Sequence, residues 1–153
     1  MSKTEITIDH ALRATWQAVT KMYNEQAAKF DSTMATGFAL LSIDPEEGTP
    51  STALGPRMGM EATSLSRTLK SMENQGLIIR KPNPADGRGV LIHLTEFGRE
   101  KRNYSKDRVI RFNEAINENV SEEKLKNFFE VINVINDLIQ NKKIYNQQET
   151  STK

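Results

Sequence analysis

Two cations and a set of hydroxyls recur within one short stretch of this chain, "TSLSRTLKSMEN": Thr63, Arg67 and Lys70 are spaced by four and three residues, with Ser64, Ser66, Ser71 and Asn74 beside or between them. Such side chains give hydrogen bonds to oxygen acceptors, arginine as a bidentate fork and lysine as a point charge. A third cation, Arg88, stands between Gly87 and Gly89 in "KPNPADGRG". The chemistry these types support is recognition of a polyanion. Bond making is not indicated, because no nucleophile–base pair, metal-ligand spacing, phosphate-binding glycine loop or buried-looking carboxylate pair accompanies them. With no cysteine and only His10 and His93, there is no thiolate, no disulfide and little to hold a transition metal. No cofactor, no metal and no enzymatic activity are expected, and His93 reads as an ordinary strand residue.

The charge distribution points the same way. Residues 51–111 hold 12 Lys/Arg against 6 Asp/Glu, a balance of +6, whereas the other residues hold 9 against 14, a balance of −5, which together give the chain's +1. A basic middle between acidic flanks predicts a localised polyanion contact rather than a generally adhesive protein. At 153 residues, 37% hydrophobic and 27% charged, the chain suits one globular domain. No apolar run reaches the roughly 18 residues of a membrane span, and "MSKTEITIDH" lacks the apolar centre of a secretory signal, so a cytoplasmic protein is expected.

The elements that must position these residues follow from periodicity. Leu12, Trp16, Val19, Tyr23, Ala27 and Phe30 step by three or four and predict a long amphipathic helix over 8–30. "MATGFALLSI" predicts a shorter helix, and "DPEEGTP" a loop. Ser51 or Thr52 is expected to cap a third helix running towards Met58, short or kinked because Gly55-Pro56 lies inside it. In the next helix Leu65, Leu69 and Met72 form the apolar seam, and Gly76 supplies the left-handed stop. Two β-rich runs, "LIIR" and "VLIHL", then flank a Pro/Gly/Asp-rich connection and predict a hairpin, with Asp86-Gly87 near its tight turn and Val90, Ile92 and Leu94 inward. Thr95 caps a helix carrying Val109, Phe112, Ile116 and Val120. Ser121 caps a last one carrying Leu125, Phe128, Ile132, Ile135 and Ile139.

Four helices, a hairpin and two further helices, with a polar-faced helix immediately before the hairpin, describe a winged helix-turn-helix. The fold class expected is mainly α with a small β-hairpin wing, flanked by long N- and C-terminal helices. An exposed helix of this kind fits the major groove of B-DNA, where arginine can donate twice to guanine and hydroxyls reach phosphates or base edges. The hairpin tip can carry Arg88 to the minor groove, whose narrow A·T-rich stretches attract a guanidinium. Pro82 and Pro84 would stiffen that tip. Asp86 and Gly87 are assigned to orienting it, by turn formation or by an ion pair that aims an arginine.

The pattern "TSLSRTLKSMENQGLIIRKPNPADGRGVLIHLTEFGRE" resembles the recognition helix and wing of the MarR family of bacterial transcription regulators. Asp86 and Arg88 match the family's wing pair, Leu94-Thr95 and Gly98 its strand-to-helix junction, and long helices at both ends extend the resemblance nearly end to end. The resemblance implies a homodimeric regulator, a repressor in the first instance, that binds a pseudo-palindromic operator in double-stranded DNA and is released, or occasionally retained, on binding a small-molecule effector. Thr63, Ser64, Ser66, Arg67 and Lys70 would face the major groove and Arg88 the minor groove. It implies a single domain over 1–153, with a DNA-binding lobe at 34–100, a dimerisation region at 5–31 and 101–143, and a frayed tail at 144–153. Two departures are Gly55-Pro56 in the first helix of the helix-turn-helix and Glu61 where a small hydroxyl cap is usual. The lack of cysteine sets the chain apart from the cysteine-based, peroxide-sensing branch.

Apolar faces on the terminal helices want partners, and a two-fold pairing would cover them; packing within one chain is the alternative. Trp16, Tyr23, Phe38 and Phe112 are candidates to line an effector cleft. A phenolic acid, a fatty-acid-derived molecule or no effector at all fits these aromatics equally. A protein-interaction adaptor that uses the same winged helix without DNA is the competing function.

Overall fold

The computed structural model describes residues 5–145, and for Arg88 the backbone only. The elements are α1 (Ile8–Ala28), α2 (Met34–Ser42), β1 (Thr49–Pro50), α3 (Ser51–Met58), α4 (Ala62–Asn74), β2 (Ile78–Asn83), β3 (Asp86–Leu94), α5 (Glu96–Asn119) and α6 (Glu122–Gln140). They divide into two compact units, Met1–Ile110 and Arg111–Lys153, with α5 continuous through the division. The expected frayed tail over 144–153 falls largely on residues 146–153, which lie outside the described residues.

Helix starts are set by local chemistry. Thr7, Thr33 and Ser121 each accept a hydrogen bond from the backbone N–H three residues on, satisfying a donor that the helix itself leaves unpaired. The start of α3 differs from expectation: Ser51 is already helical and Pro50 is the cap, without a side-chain bond. The reason is β1, a two-residue strand that the loop reading missed; Pro50 pairs with Leu91 as its chain turns directly into the helix. The hairpin is therefore part of a three-stranded antiparallel sheet in the order β1-β3-β2.

The core of the first unit joins α2, α3 and α4 to the sheet through Leu40, Ile43, Leu54, Met72, Ile78 and Ile92, all essentially inaccessible. Each such aliphatic side chain contributes about 1.5–3 kcal/mol by leaving water. Alternation along β3 places Ile92 and Leu94 in that core with Val90 packed against it, as the period of two predicts. His93 points away and lays its ring over Gly48, which has φ +76° and where a Cβ would come within 2.7 Å of that ring. Gly98 is as constrained: a Cβ there would overlap the Leu77 carbonyl oxygen, which accepts the Thr95 N–H at 3.0 Å.

The helix α3 is short, eight residues, as Gly55-Pro56 predicts. The helix simply ends two residues later, where Gly59 takes φ +62° and Met60 N–H bonds back to the Gly55 carbonyl at 3.0 Å. Gly55 is buried, and a Cβ on it would sit 3.3 Å from the Met60 carbonyl oxygen. In the second unit, α6 buries none of its residues and leaves Phe128, Phe129, Val131, Val134, Leu138 and Ile139 exposed.

Candidate functional site

The helix α4 is two-faced in the manner its sequence predicts. Leu65, Leu69 and Met72 are buried against the core, while Thr63, Ser64, Ser66, Arg67 and Lys70 are all exposed on the other side. Its end is fixed by a left-handed Gly76 at φ +76°, with Leu77 N–H bonded to the Met72 carbonyl at 2.9 Å. This glycine-terminated stop sends the chain straight into β2. One hydroxyl has turned inward: Thr68 donates to the Ser64 carbonyl at 3.1 Å and so spends its proton on the helix. The other end of α4 carries Glu61 as its cap residue, with no side-chain capping bond.

The hairpin beside α4 corrects the expected turn. Asn83 pairs with Asp86, so the two turn residues are Pro84 and Ala85, and Asn83 Oδ1 accepts the Ala85 N–H at 3.0 Å. Proline presets the turn's backbone angle and the asparagine side chain mimics a turn bond, which outweighs the Asp-Gly signal. Asp86 and Gly87 thus belong to β3, and Gly87 has neither a positive φ nor any atom within 4 Å of a notional Cβ. Immediately after the turn the register jumps: Pro82 pairs with Val90 but Asn83 with Asp86, leaving residues 87–89 as a bulge in β3. Pro82 has no N–H to offer there, so a ladder bond is lost in any case. The backbone of Arg88 sits at the centre of this bulge; its side chain lies outside what is described. Arg80 on β2 pairs with Glu73 on α4 at 3.4 Å, a half-exposed bridge between hairpin and helix.

A separate, shallow cleft opens between α1, α2 and the first half of α5. Tyr23 and Phe38 line it, edge to face with ring centres 5.7 Å apart, as two of the four aromatic candidates. Burial pushes the Tyr23 hydroxyl above the ordinary tyrosine range. Trp16 is not among the lining residues and stands 54% exposed on α1. Phe112 belongs to the second unit. The sequence reading missed the residues that close the cleft. Phe30 packs on Tyr104 with ring centres 3.7 Å apart, Lys101 donates to the Phe30 carbonyl at 3.0 Å, and Tyr104 donates to the Gln26 carbonyl at 3.2 Å. Arg108 stacks over Tyr104 and reaches Gln26 Oε1 at 3.2 Å, yet its Nε is buried with no partner. The spacing of four between Tyr104 and Arg108 was visible in the sequence; their contact with the end of α1 was not.

Among the described residues no three His, Cys, Asp or Glu side chains stand close enough to hold a metal ion, and no helix is long and apolar enough to cross a membrane.

A model of the MarR family matches residues 33–90, which span α2 to β3. The organic hydroperoxide resistance transcriptional regulator of Bacillus subtilis is 35% identical over 96 residues, 63% of this chain and 65% of that protein. The chain thus spans just under two thirds of that relative's length. The HTH-type transcriptional regulator SarZ of Staphylococcus saprophyticus is 30% identical over 115 residues, 72% of this chain and 79% of that protein. In fold, the chain resembles the S. aureus MepR–DNA complex with a TM-score of 0.79 at 18% identity, over 87% of this chain and 98% of that one.

Proposed function

This chain belongs to the MarR family, and from that premise we propose that it is a DNA-binding transcription regulator acting as a homodimer, a repressor released by a small-molecule effector in the cytoplasm. The observation that carries the reading is the exposed face of α4, where three hydroxyls and two cations project free of the core beside a hairpin whose bulge centres on Arg88. The solved MepR structure is of a DNA complex; here the same mode would lay Thr63, Ser64, Ser66, Arg67 and Lys70 in the major groove and Arg88 in the minor groove. Two recognition helices roughly 34–36 Å apart across a two-fold axis would then meet successive major grooves.

The effector reading rests on the cleft. Tyr104 and Arg108 of α5 bond Gln26 in the last turn of α1, which has no basic residue of its own there, and Lys101 bonds the Phe30 carbonyl just beyond it. They add to a backbone cap in which Ser32 N–H bonds back to the Ala27 carbonyl at 3.0 Å and Asp31 takes φ +53°. A ligand offering an acceptor to the unpartnered Arg108 Nε would compete for those contacts and so favour one placement of α1 over another, which is the differential affinity any effector needs. Oxidation of a thiol is not available to these 153 residues, which contain no cysteine, whatever the hydroperoxide-related relative does.

The test is equilibrium binding to genomic fragments over a range of salt. Affinity should fall steeply, with each phosphate contact adding about −0.9 to the log–log slope, and the retained fragments should share an inverted repeat. Negligible binding at low salt would remove the reading.

A further inference from the structure

The stretch from Gly59 to Asn83 carries two carboxylates, Glu61 and Glu73, and the fold treats them differently. Glu73 is held 3.4 Å from the Arg80 guanidinium. Glu61 is the N-cap of α4, extended at φ −69° and ψ 151°, exposed, and without a capping bond. Among the described residues it has no ion-pair partner.

Glu61 therefore serves neither the fold nor general attraction to DNA. A serine, threonine or aspartate at the same position would satisfy an orphan backbone N–H, which glutamate does not do here. A free carboxylate at the leading end of a helix that approaches phosphates also opposes binding to any sequence. What remains is the place it occupies. The first residues of a recognition helix are those that meet base edges in the major groove, and an ionised carboxylate is an acceptor only. The donor it matches there is the exocyclic N4 amino group of cytosine.

We propose that Glu61 is a specificity-determining residue, accepting a hydrogen bond from the N4 amino group of one cytosine in each half-site. The inference rests on the DNA-binding reading above. Glu61, Ser64 and Arg67 follow one another at a spacing of three, Glu61 as the cap residue just before α4 and the other two within its first two turns, all exposed. Six residues of helix rise about 9 Å, two to three base-pair steps at 3.4 Å each, so the cytosine lies within that distance of the base read by Arg67. The carboxylate gives up affinity on every sequence and returns it only where a cytosine is in place.

The experiment is selection from a randomised duplex library by the full chain and by E61A, E61Q and E61S, with Kd measured on the selected site and on random duplex. The wild type should select an inverted repeat containing one cytosine per half-site that E61A no longer prefers, its discrimination there falling about five- to a hundredfold. Preferences elsewhere should persist, and affinity for random duplex should rise. E61Q should shift that position towards adenine, whose N6 and N7 suit a carboxamide. E61S restores a helix cap and guards against a folding defect; it too should lose the cytosine. If E61A and E61S bind all DNA more tightly with every base preference unchanged, Glu61 is only a repulsive charge and the proposal falls. A wild type that prefers adenine at that position overturns the cytosine assignment. A wild type that selects no inverted repeat at all overturns the DNA-binding reading itself, and this inference with it.

Discussion

Arg67 and Lys70 lie one turn apart on the exposed face of α4, but their head groups are not equivalent. A guanidinium can bond two acceptors on one guanine edge, whereas an ammonium is a compact charge that any phosphate satisfies. Arg67→Ala should cost about 1–3 kcal/mol on the cognate site and relax base preference; Lys70→Ala should weaken all sequences alike and lower the salt slope by about 0.9. Equal losses on cognate and random duplex for Arg67→Ala would contradict this assignment. Arg88→Ala should harm sites with A·T-rich flanks most, read by comparing Kd on duplexes differing only in those flanks. Far from these cations, Asp44 accepts the N–H groups of Glu47 at 3.0 Å and Glu46 at 2.8 Å, which lower its pKa below the ordinary aspartate value, with Arg102 and Arg57 adding to the effect. A depressed folded-state pKa contributes stability that is complete above the unfolded-state value and is lost as pH falls through the folded one. Asp44→Asn should therefore destabilise the protein at neutral pH, and the difference from wild type should shrink in acid denaturation below about pH 4.

At the scale of elements, the junction between the hairpin and α5 leaves less room for a Cβ than any other glycine position among the described residues. Thr95 caps α5 by accepting the Gly98 N–H at 2.9 Å and also donates to the Gly76 carbonyl, so the end of α4, the start of β2 and the start of α5 are tied at one point. Gly98→Ala puts a methyl group onto the Leu77 carbonyl oxygen. Relief requires a backbone shift, and we expect a loss of about 1–3 kcal/mol, with a lowered thermal midpoint at roughly 2–4 °C per kcal/mol. Gly87→Ala, by contrast, meets no atom and should leave the midpoint unchanged. The pair separates a glycine needed for packing from one that only its neighbours in sequence made look necessary.

For the molecule as a whole, the first unit encloses a core, whereas among its described residues the second buries none. Phe128 is 52% and Ile139 58% exposed on α6, and on α1 Leu12 and Trp16 stand open in the same way. Exposed apolar side chains gathered on a helix face in this way mark association surfaces, in keeping with the proposed homodimer. Phe128→Glu should move sedimentation equilibrium towards the monomer and weaken operator binding, since half-sites would then be held one at a time. A dimer that persists unchanged would place the interface elsewhere.

Periodicity and local stop signals in the sequence determined the helices, the inward residues of β3, the two-faced character of α4 and the stop at Gly76, because each depends on side chains within a few residues of one another. Three features needed the tertiary structure. The strand β1 exists only because Thr49 and Pro50 meet Ile92 and Leu91, some forty residues away. The turn at Pro84-Ala85 and the bulge around Arg88 follow from which β2 residue faces which β3 residue, and register is a property of the pair. The wall of the cleft exists because Phe30 meets Tyr104 and Gln26 meets Arg108. Local physics is written in neighbouring letters; contacts between distant segments are decided only when packing selects which surfaces meet.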